Sequence, residues 1–209
     1  MSGQIKVVAW DFDGVLNRNV VDGRFIWLDG FEAEFGFSSQ DFVQDVFYRD
    51  LDAVLTGRED LKVRIQQWAD RAGFAPGADA VLDFWFSTDN HLDPEMLDLM
   101  DLLRERGLRQ VLVTNNEPYR TAHIEQELGF GDRVEKIFAA GRMGIAKPHL
   151  DFYGAVTQSL GVERSSVLMI DDLRENVDAA VEFGWAGRHF VPQTRSEVLA
   201  LLRDELRRP

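Results

Sequence analysis

Short apolar runs recur along the chain, each ending on a small or acidic residue. They are Ile5 to Trp10 before Asp11, Val111 to Val113 before Thr114, Ile137 to Ala140 before Gly141, and Val167 to Ile170 before Asp171. A weaker run covers His189 to Val191. Runs of this length between turn residues predict buried strands, and helical periodicity fills most of the intervals. Strands alternating with helices predict an α/β fold, a Rossmann-like parallel sheet covered on both faces.

The helices carry their own punctuation. Asp93 caps one whose first residue is Pro94, with Met96, Leu99, Met100 and Leu103 as its apolar stripe and Gly107 as its stop. Pro118 opens another, closed by Gly129. Thr194 and Glu197 form a capping box for the last helix, with Val198, Leu202 and Leu206 facing inward. Positions 17–89 break the alternation. They contain no strand run and read as helices. Ser38 and Asp41 cap a segment reaching about Thr56, a second segment runs from Arg58 to Ala72 and ends at Gly73, and a third follows Pro76 and Gly77. The expected organisation is a core of residues 1–16 and 90–209 with an inserted α-helical cap at 17–89.

Composition narrows the function. The 209 residues are 45% hydrophobic and include 15 Phe and 5 Trp, enough to fill a core and to exclude whole-chain disorder. The net charge of −13 argues against nucleic acid as a partner. An anion site would have to be built locally from cations, a metal and backbone N–H groups. The absence of Cys excludes thiolate catalysis and Cys-ligated zinc. No apolar stretch approaches a membrane span, and the run Val7 to Trp10 is too short for a signal-peptide core. A cytoplasmic protein, monomer or homodimer, is the expectation.

The candidate chemistry sits where the strands end. Asp11-Phe12-Asp13-Gly14-Val15 places two carboxylates on one side of an extended chain. Taken alone, this segment equally reads as a turn at Asp13-Gly14 with Asp11 capping the strand. Thr114-Asn115-Asn116 offers a hydroxyl and amides for an oxyanion, or a polar turn feeding the helix at Pro118. Lys147-Pro148 follows the third strand by a short loop, and its ammonium could meet a phosphate or only solvent. Asp171-Asp172 are adjacent like charges, costly unless a cation neutralises them, and hard oxygen ligands suit magnesium. They also read as a cap for a helix starting near Arg174. A parallel sheet would bring all four strand ends to one edge.

This set of four resembles the motifs of the haloacid dehalogenase (HAD) superfamily of phosphohydrolases: DFDGV at 11–15, TNN at 114–116, KP at 147–148 and MIDDLRENVDAA at 169–180. The stretch from Lys147 to Val191 is similar to the phosphatase domain of soluble epoxide hydrolase and to sugar-phosphate phosphatases. The resemblance implies a hydrolase for a small phosphate ester. Asp11 would be the nucleophile that forms an aspartyl-phosphate, and Asp13 the general acid and base. Thr114, Asn115 and Lys147 would clamp the phosphate. Mg²⁺ would be held by Asp11, Asp172 and the backbone carbonyl of Asp13, with Asp171 as a weaker or water-mediated ligand. Many relatives carry a second acid where this chain has Asn176. A phosphoglucomutase-like phosphotransferase is the alternative within this chemistry. A 2-haloacid dehalogenase, which needs neither Asp13 nor a metal, is a more distant one.

Smaller features take the bland reading. The aromatic residues Phe25, Trp27, Phe31, Phe35 and Phe37 are expected to pack rather than to form a substrate lid. Asn17, Arg18 and Arg24 are expected to form a solvated face, and His149 to lie beside the lysine motif with no fixed role.

Overall fold

The computed structural model describes residues 4–205. In chain order, β1 (Val7–Trp10) is followed by a small hairpin of β2 (Val20–Val21) and β3 (Arg24–Phe25). Five helices come next: α1 (Leu28–Phe35), α2 (Ser39–Val46), α3 (Leu51–Leu55), α4 (Leu61–Ala72) and α5 (Gly77–Thr88). The alternation then resumes with α6 (Pro94–Glu105), β4 (Arg109–Thr114), α7 (Pro118–Gln126), α8 (Phe130–Arg133), β5 (Lys136–Ala139) and α9 (Ala140–Met143). It closes with α10 (Leu150–Leu160), β6 (Val167–Asp171), α11 (Arg174–Phe183), β7 (Ala186–His189) and α12 (Arg195–Glu205).

Five strands form one parallel sheet in the order β5-β4-β1-β6-β7. The register sets Trp10 beside both Leu112 and Ile170, so the residues following these strands emerge at one edge. The strand order reverses beside β1, the place where open α/β sheets bind ligands. Strand alternation divides the core into two layers. Val8, Trp10, Leu112, Leu168 and Ile170 pack on Met96, Leu99, Ile124, Val198 and Leu202. On the other face, Val7, Ala9, Val111, Val167 and Met169 meet Phe152, Tyr153, Val156 and Trp185.

Helices α1–α5 gather around a separate aromatic cluster that includes Trp27, Phe31, Phe42, Trp68, Phe74 and Trp85. Trp27 stacks on Trp85 with ring centroids 5.0 Å apart, and Phe42 meets Trp68 edge-on at 4.8 Å. Such pairs are each worth about 0.5–1.5 kcal/mol beyond the area they bury. Packing therefore accounts for the aromatic residues here, except Phe25, which is exposed on the hairpin. The helical segment also touches the sheet layer. Tyr119 Oη donates to Asp60 Oδ2 at 2.8 Å, and a Cβ on Gly57 would lie 2.8 Å from the Gly141 carbonyl oxygen.

Several expectations are corrected. The hairpin β2–β3 lies in a region that carries no strand pattern; strands of two residues are too short to show one. α1 was not expected, since it contains Gly30 and has no side-chain cap at Trp27. The segment expected to run unbroken to Thr56 is split, because Asp50 accepts the Ala53 N–H and starts a new helix. Asp60, not Arg58, opens α4 by accepting the Val63 N–H. Gly129, at φ 73°, precedes α8, and α7 already ends at Gln126. The last strand is β7, displaced from the apolar run His189 to Val191. Thr194 does not act as expected: its hydroxyl donates to the His189 carbonyl and accepts from the Val191 N–H. Leu206 lies outside the described residues, whereas Val198 and Leu202 are buried as expected.

Candidate active site

The carboxyl edge of the sheet collects the candidate residues into one connected group. Asp11, after β1, and Asp171, the last residue of β6, stand beside one another because their strands pair in register. Asp11, Asp171 and Asp172 each offer an oxygen, and these atoms lie within 4.8 Å of one another. Lys147 is buried against the same cluster, with Nζ 2.6 Å from Asp171 Oδ2 and 3.1 Å from Asp11 Oδ1. Three carboxylates face one ammonium, so the cluster carries an excess of negative charge.

The surroundings fix the lysine and leave some oxygens open. The Asn115 amide donates to the Lys147 carbonyl at 2.8 Å and accepts the Lys147 N–H at 2.9 Å. Both ends of that side chain therefore hold the lysine loop, whose Lys147–Pro148 bond is cis. Thr114 Oγ1 accepts from Asn116 Nδ2, which also donates to Asp13 Oδ2 at 2.8 Å. Asp171 is the most committed carboxylate. It accepts from Lys147, from the Leu173 N–H and from Asn176 Nδ2. Asn176 thus serves here as a donor to Asp171. Asp172 is only half-buried, and its backbone carbonyl accepts from His189 Nε2 at 2.8 Å.

Sequence reasoning missed several of these partners. Asn116 joins Thr114 to Asp13, yet it looked like a turn residue. Asn19 donates to the other Asp13 oxygen at 2.7 Å. Asn17 is not on a solvated face: it is fully buried, donating to the Asp89 carbonyl and accepting the His91 N–H. Arg18 and Arg24 are exposed, and His149 is exposed at the start of α10. No local signal in the sequence marks contacts such as Asn17 with Asp89, which lie 72 positions apart.

Burial and like charge shape the ionisation of the cluster. Burial, then the neighbouring Asp171, pushes Asp11 well above the usual carboxylate range, against the opposing pull of Lys147. The same two causes raise Asp172 to about 7. Burial alone would lower the Lys147 ammonium, but Asp11 and Asp171 outweigh it and hold it raised. Two further buried carboxyls, Asp89 and Glu117, are also raised to about 7, chiefly by burial.

A divalent cation fits this arrangement. The donors are all carboxylate oxygens, which suits a hard ion, and a cation would offset the excess negative charge. Gly14, at φ 74°, keeps the space open: a Cβ there would lie 2.4 Å from Asp172 Oδ2.

These shifts predict how the metal-free protein responds to pH. Asp172, Asp89 and Glu117 ionise near 4 when unfolded and near 7 when folded. Between those values the folded chain binds more protons than the unfolded chain, so stability falls as pH rises through the window and levels off above about 7. Glu95, Glu125 and Glu135 are held low by arginines and lose their contribution only below the usual carboxylate range. In EDTA the Tm is therefore expected to be higher near about pH 5.5 than near about pH 8. Mg²⁺ is expected to raise it more at the higher pH, where the carboxylates are free to ligate. Thermal scans at both values test this; a Tm in EDTA that climbs with pH would contradict it.

The comparisons with known proteins agree with the fold. Residues 5–184 match the model of the haloacid dehalogenase-like hydrolase family, and the chain belongs to that family. It is 32% identical over 98 residues to a sesquiterpene phosphatase of Aspergillus oryzae, covering 46% of this chain and 50% of that protein. It is 31% identical over 88 residues to a phosphatase of Mycobacterium tuberculosis, covering 42% and 41%. The chain thus spans about half or less of the length of these relatives. Among solved structures, a HAD-like family hydrolase from Porphyromonas gingivalis superposes with a TM-score of 0.75 at 20% identity, covering 96% of this chain and 99% of that one. A HAD family enzyme from Bacteroides thetaiotaomicron, in complex with magnesium and inorganic phosphate, gives 0.74 at 21% identity, covering 93% and 98%. L-2-haloacid dehalogenase from Xanthobacter autotrophicus gives 0.64 at 19% identity, covering 95% and 83%. At these identities the likeness to solved structures speaks for the fold. No described helix is long and apolar enough to cross a membrane.

Proposed function

We propose that this protein is a magnesium-dependent phosphatase for a small phosphorylated metabolite, working through an aspartyl-phosphate on Asp11 with Asp13 as general acid and base. The observation that carries this reading is the cluster of Asp11, Asp171 and Asp172 within 4.8 Å, with Lys147 buried against two of them. A carboxylate attacks a phosphate poorly unless the repulsion between two anions is offset, and this cluster is built around that problem. Asp11, Asp172 and the Asp13 carbonyl would hold the metal, with Asp171 as a weaker or water-mediated ligand. Bound Mg²⁺ would supply charge neutralisation and orientation.

The remaining work falls to side chains. Lys147 neutralises charge at the phosphate, and Asn115 fixes where it stands. Thr114 accepts from Asn116, which leaves its own O–H to donate to a phosphate oxygen. Asp13 protonates the leaving oxygen, then takes a proton from the water that attacks the intermediate. Each Asp13 oxygen accepts one amide hydrogen and keeps a further lone pair that can carry a proton. The helical segment, residues 17–89, would act as a cap that excludes water during transfer. Named phosphatases among the relatives support a phosphate ester as substrate. The pairing of Asp11 with Asp13 and the Asp171-Asp172 pair favour this reading over dehalogenation, which needs neither.

The experiment is release of phosphate from p-nitrophenyl phosphate, with Mg²⁺ and with EDTA. Turnover that requires the metal is expected. Chloride release from a 2-haloacid in EDTA, with no ester hydrolysis, would replace this reading. Isomerisation of a sugar phosphate without phosphate release would replace it with phosphotransfer.

A further inference from the structure

Asp13 is gripped from two sides. Asn116 donates to Oδ2 at 2.8 Å and Asn19 donates to Oδ1 at 2.7 Å. Asn19 is fully buried on the chain that leaves the sheet for the helical segment. Its Nδ2 also donates to Asp89 Oδ2 at 2.9 Å, and its carbonyl accepts the Gly14 N–H at 3.2 Å. With two donors and the acceptor all committed, this amide has one orientation.

Asp89 lies where the chain returns from α5, and it gathers contacts from both layers. Its Oδ2 accepts from Trp85 Nε1 of α5 and from Arg120 Nη2 of α7. Arg120 also donates to the Asp89 carbonyl at 3.0 Å. Both side chains are wholly buried. The guanidinium lies 5.6–5.9 Å from the ring centroids of Phe86, Phe12 and Trp85, while Nε and Nη1 have no hydrogen-bond partner. A buried ion pair with unsatisfied atoms recovers its desolvation poorly, so stability is a weak reason for it. Geometry is a better one. Asn17 binds the Asp89 carbonyl and the His91 N–H, which ties the outgoing and returning chains together at this point.

We propose that Asp89, anchored by Arg120, is a positioning residue that aims the Asn19 amide at Asp13 and so sets the alignment of the acid/base carboxyl. This rests on the reading of Asp13 as general acid. Movement of the helical segment on its two connecting strands shifts Asp89, and with it the hold on Asp13. Alignment of the proton donor is thereby coupled to the position of that segment.

The test compares kcat/KM for p-nitrophenyl phosphate and phenyl phosphate, with saturating Mg²⁺. The nitrophenolate leaves readily without a proton, whereas the phenolate needs one. General acid catalysis contributes roughly 10²–10⁴-fold, so weakening the aim of Asp13 should lower the phenyl ester at least about tenfold more than the nitrophenyl ester. Asn19→Ala is expected to show this bias with Mg²⁺ affinity near that of the parent protein, its Tm lowered by the loss of a buried, fully bonded amide. Asp89→Asn should show the same bias, and combining the two should add little. Arg120→Lys keeps the buried charge, and it decides the question if Asp89→Asn fails to fold. An equal loss on both esters in Asn19→Ala and Arg120→Lys would overturn the proposal. Asp13→Asn separates the two readings. If it too loses both esters equally, the general-acid role fails. If it shows the bias and Asn19→Ala does not, only the positioning role fails.

Discussion

Asp11→Asn is expected to lower hydrolysis of p-nitrophenyl phosphate by a factor on the order of 10⁴ or more, while raising the Tm of the metal-free protein. The two effects have one cause seen from opposite sides. Asparagine keeps the shape of the side chain but has no anionic oxygen to attack phosphorus. It also removes a charge that burial and Asp171, with Asp172 and Asp13, make costly in the fold. Lys147 is not left unpaired, because Asp171 remains 2.6 Å away. A structural carboxylate would behave differently, since its loss would weaken the fold and the activity together. Steady-state rates and thermal scans in EDTA check both signs. Substantial residual turnover would remove Asp11 from the nucleophile role, and a lower Tm in EDTA would show that Asp11 holds the fold together rather than straining it.

The parts of this design that were legible in the sequence are those written locally. β1, β4, β5 and β6 are buried on both faces, so each appears as an apolar run; those of β1, β4 and β6 lead directly into site residues, whereas β5 reaches Lys147 only through α9 and a loop. The cap at Asp93 was legible because its carboxylate and its helix are adjacent: Oδ1 accepts from Glu95 and Met96. β7 was misplaced because it is a half-buried edge strand containing Gly187 and Arg188, and the apolar residues lie after it. The resemblance to known motifs gathers Asp11, Asp13, Thr114, Lys147 and Asp171-Asp172 from the sequence alone. Their supports were hidden. Asn19 meets Asp89 across 70 positions, and Asp89 meets Arg120 across 31. An Asn, an Asp and an Arg separated in this way look like surface residues, and only the fold places them in one buried line behind Asp13.

That buried line yields the largest expected change in stability. Arg120→Met is expected to destabilise the protein by about 3–5 kcal/mol, the usual cost of leaving one member of a buried pair uncompensated. For a chain of this length that lowers the Tm by roughly 6–20 °C. The cost should depend on pH in a definite direction. Burial already raises the Asp89 carboxyl to about 7 despite Arg120, the neighbouring charge of Asp13 adds to the rise, and Asn19 and Trp85 oppose it. Removing the arginine raises it further. Above that value the variant buries an unpaired anion, while below it the carboxyl takes up a proton and the charge disappears. The gap in Tm between variant and parent should therefore be wide near about pH 8 and narrower near about pH 5.5. Comparing both proteins at each pH cancels the titrating groups that do not feel Arg120; Glu117 and His123 do feel it, and losing it raises both, which moves the gap in the same direction. Adding Asp89→Asn to Arg120→Met removes the stranded charge, so the double variant should recover part of the loss and the two changes should be far from additive. A gap that stays constant with pH and is not relieved by the second substitution would assign the cost elsewhere: to the packing of the arginine against Phe12, Trp85 and Phe86 rather than to its charge.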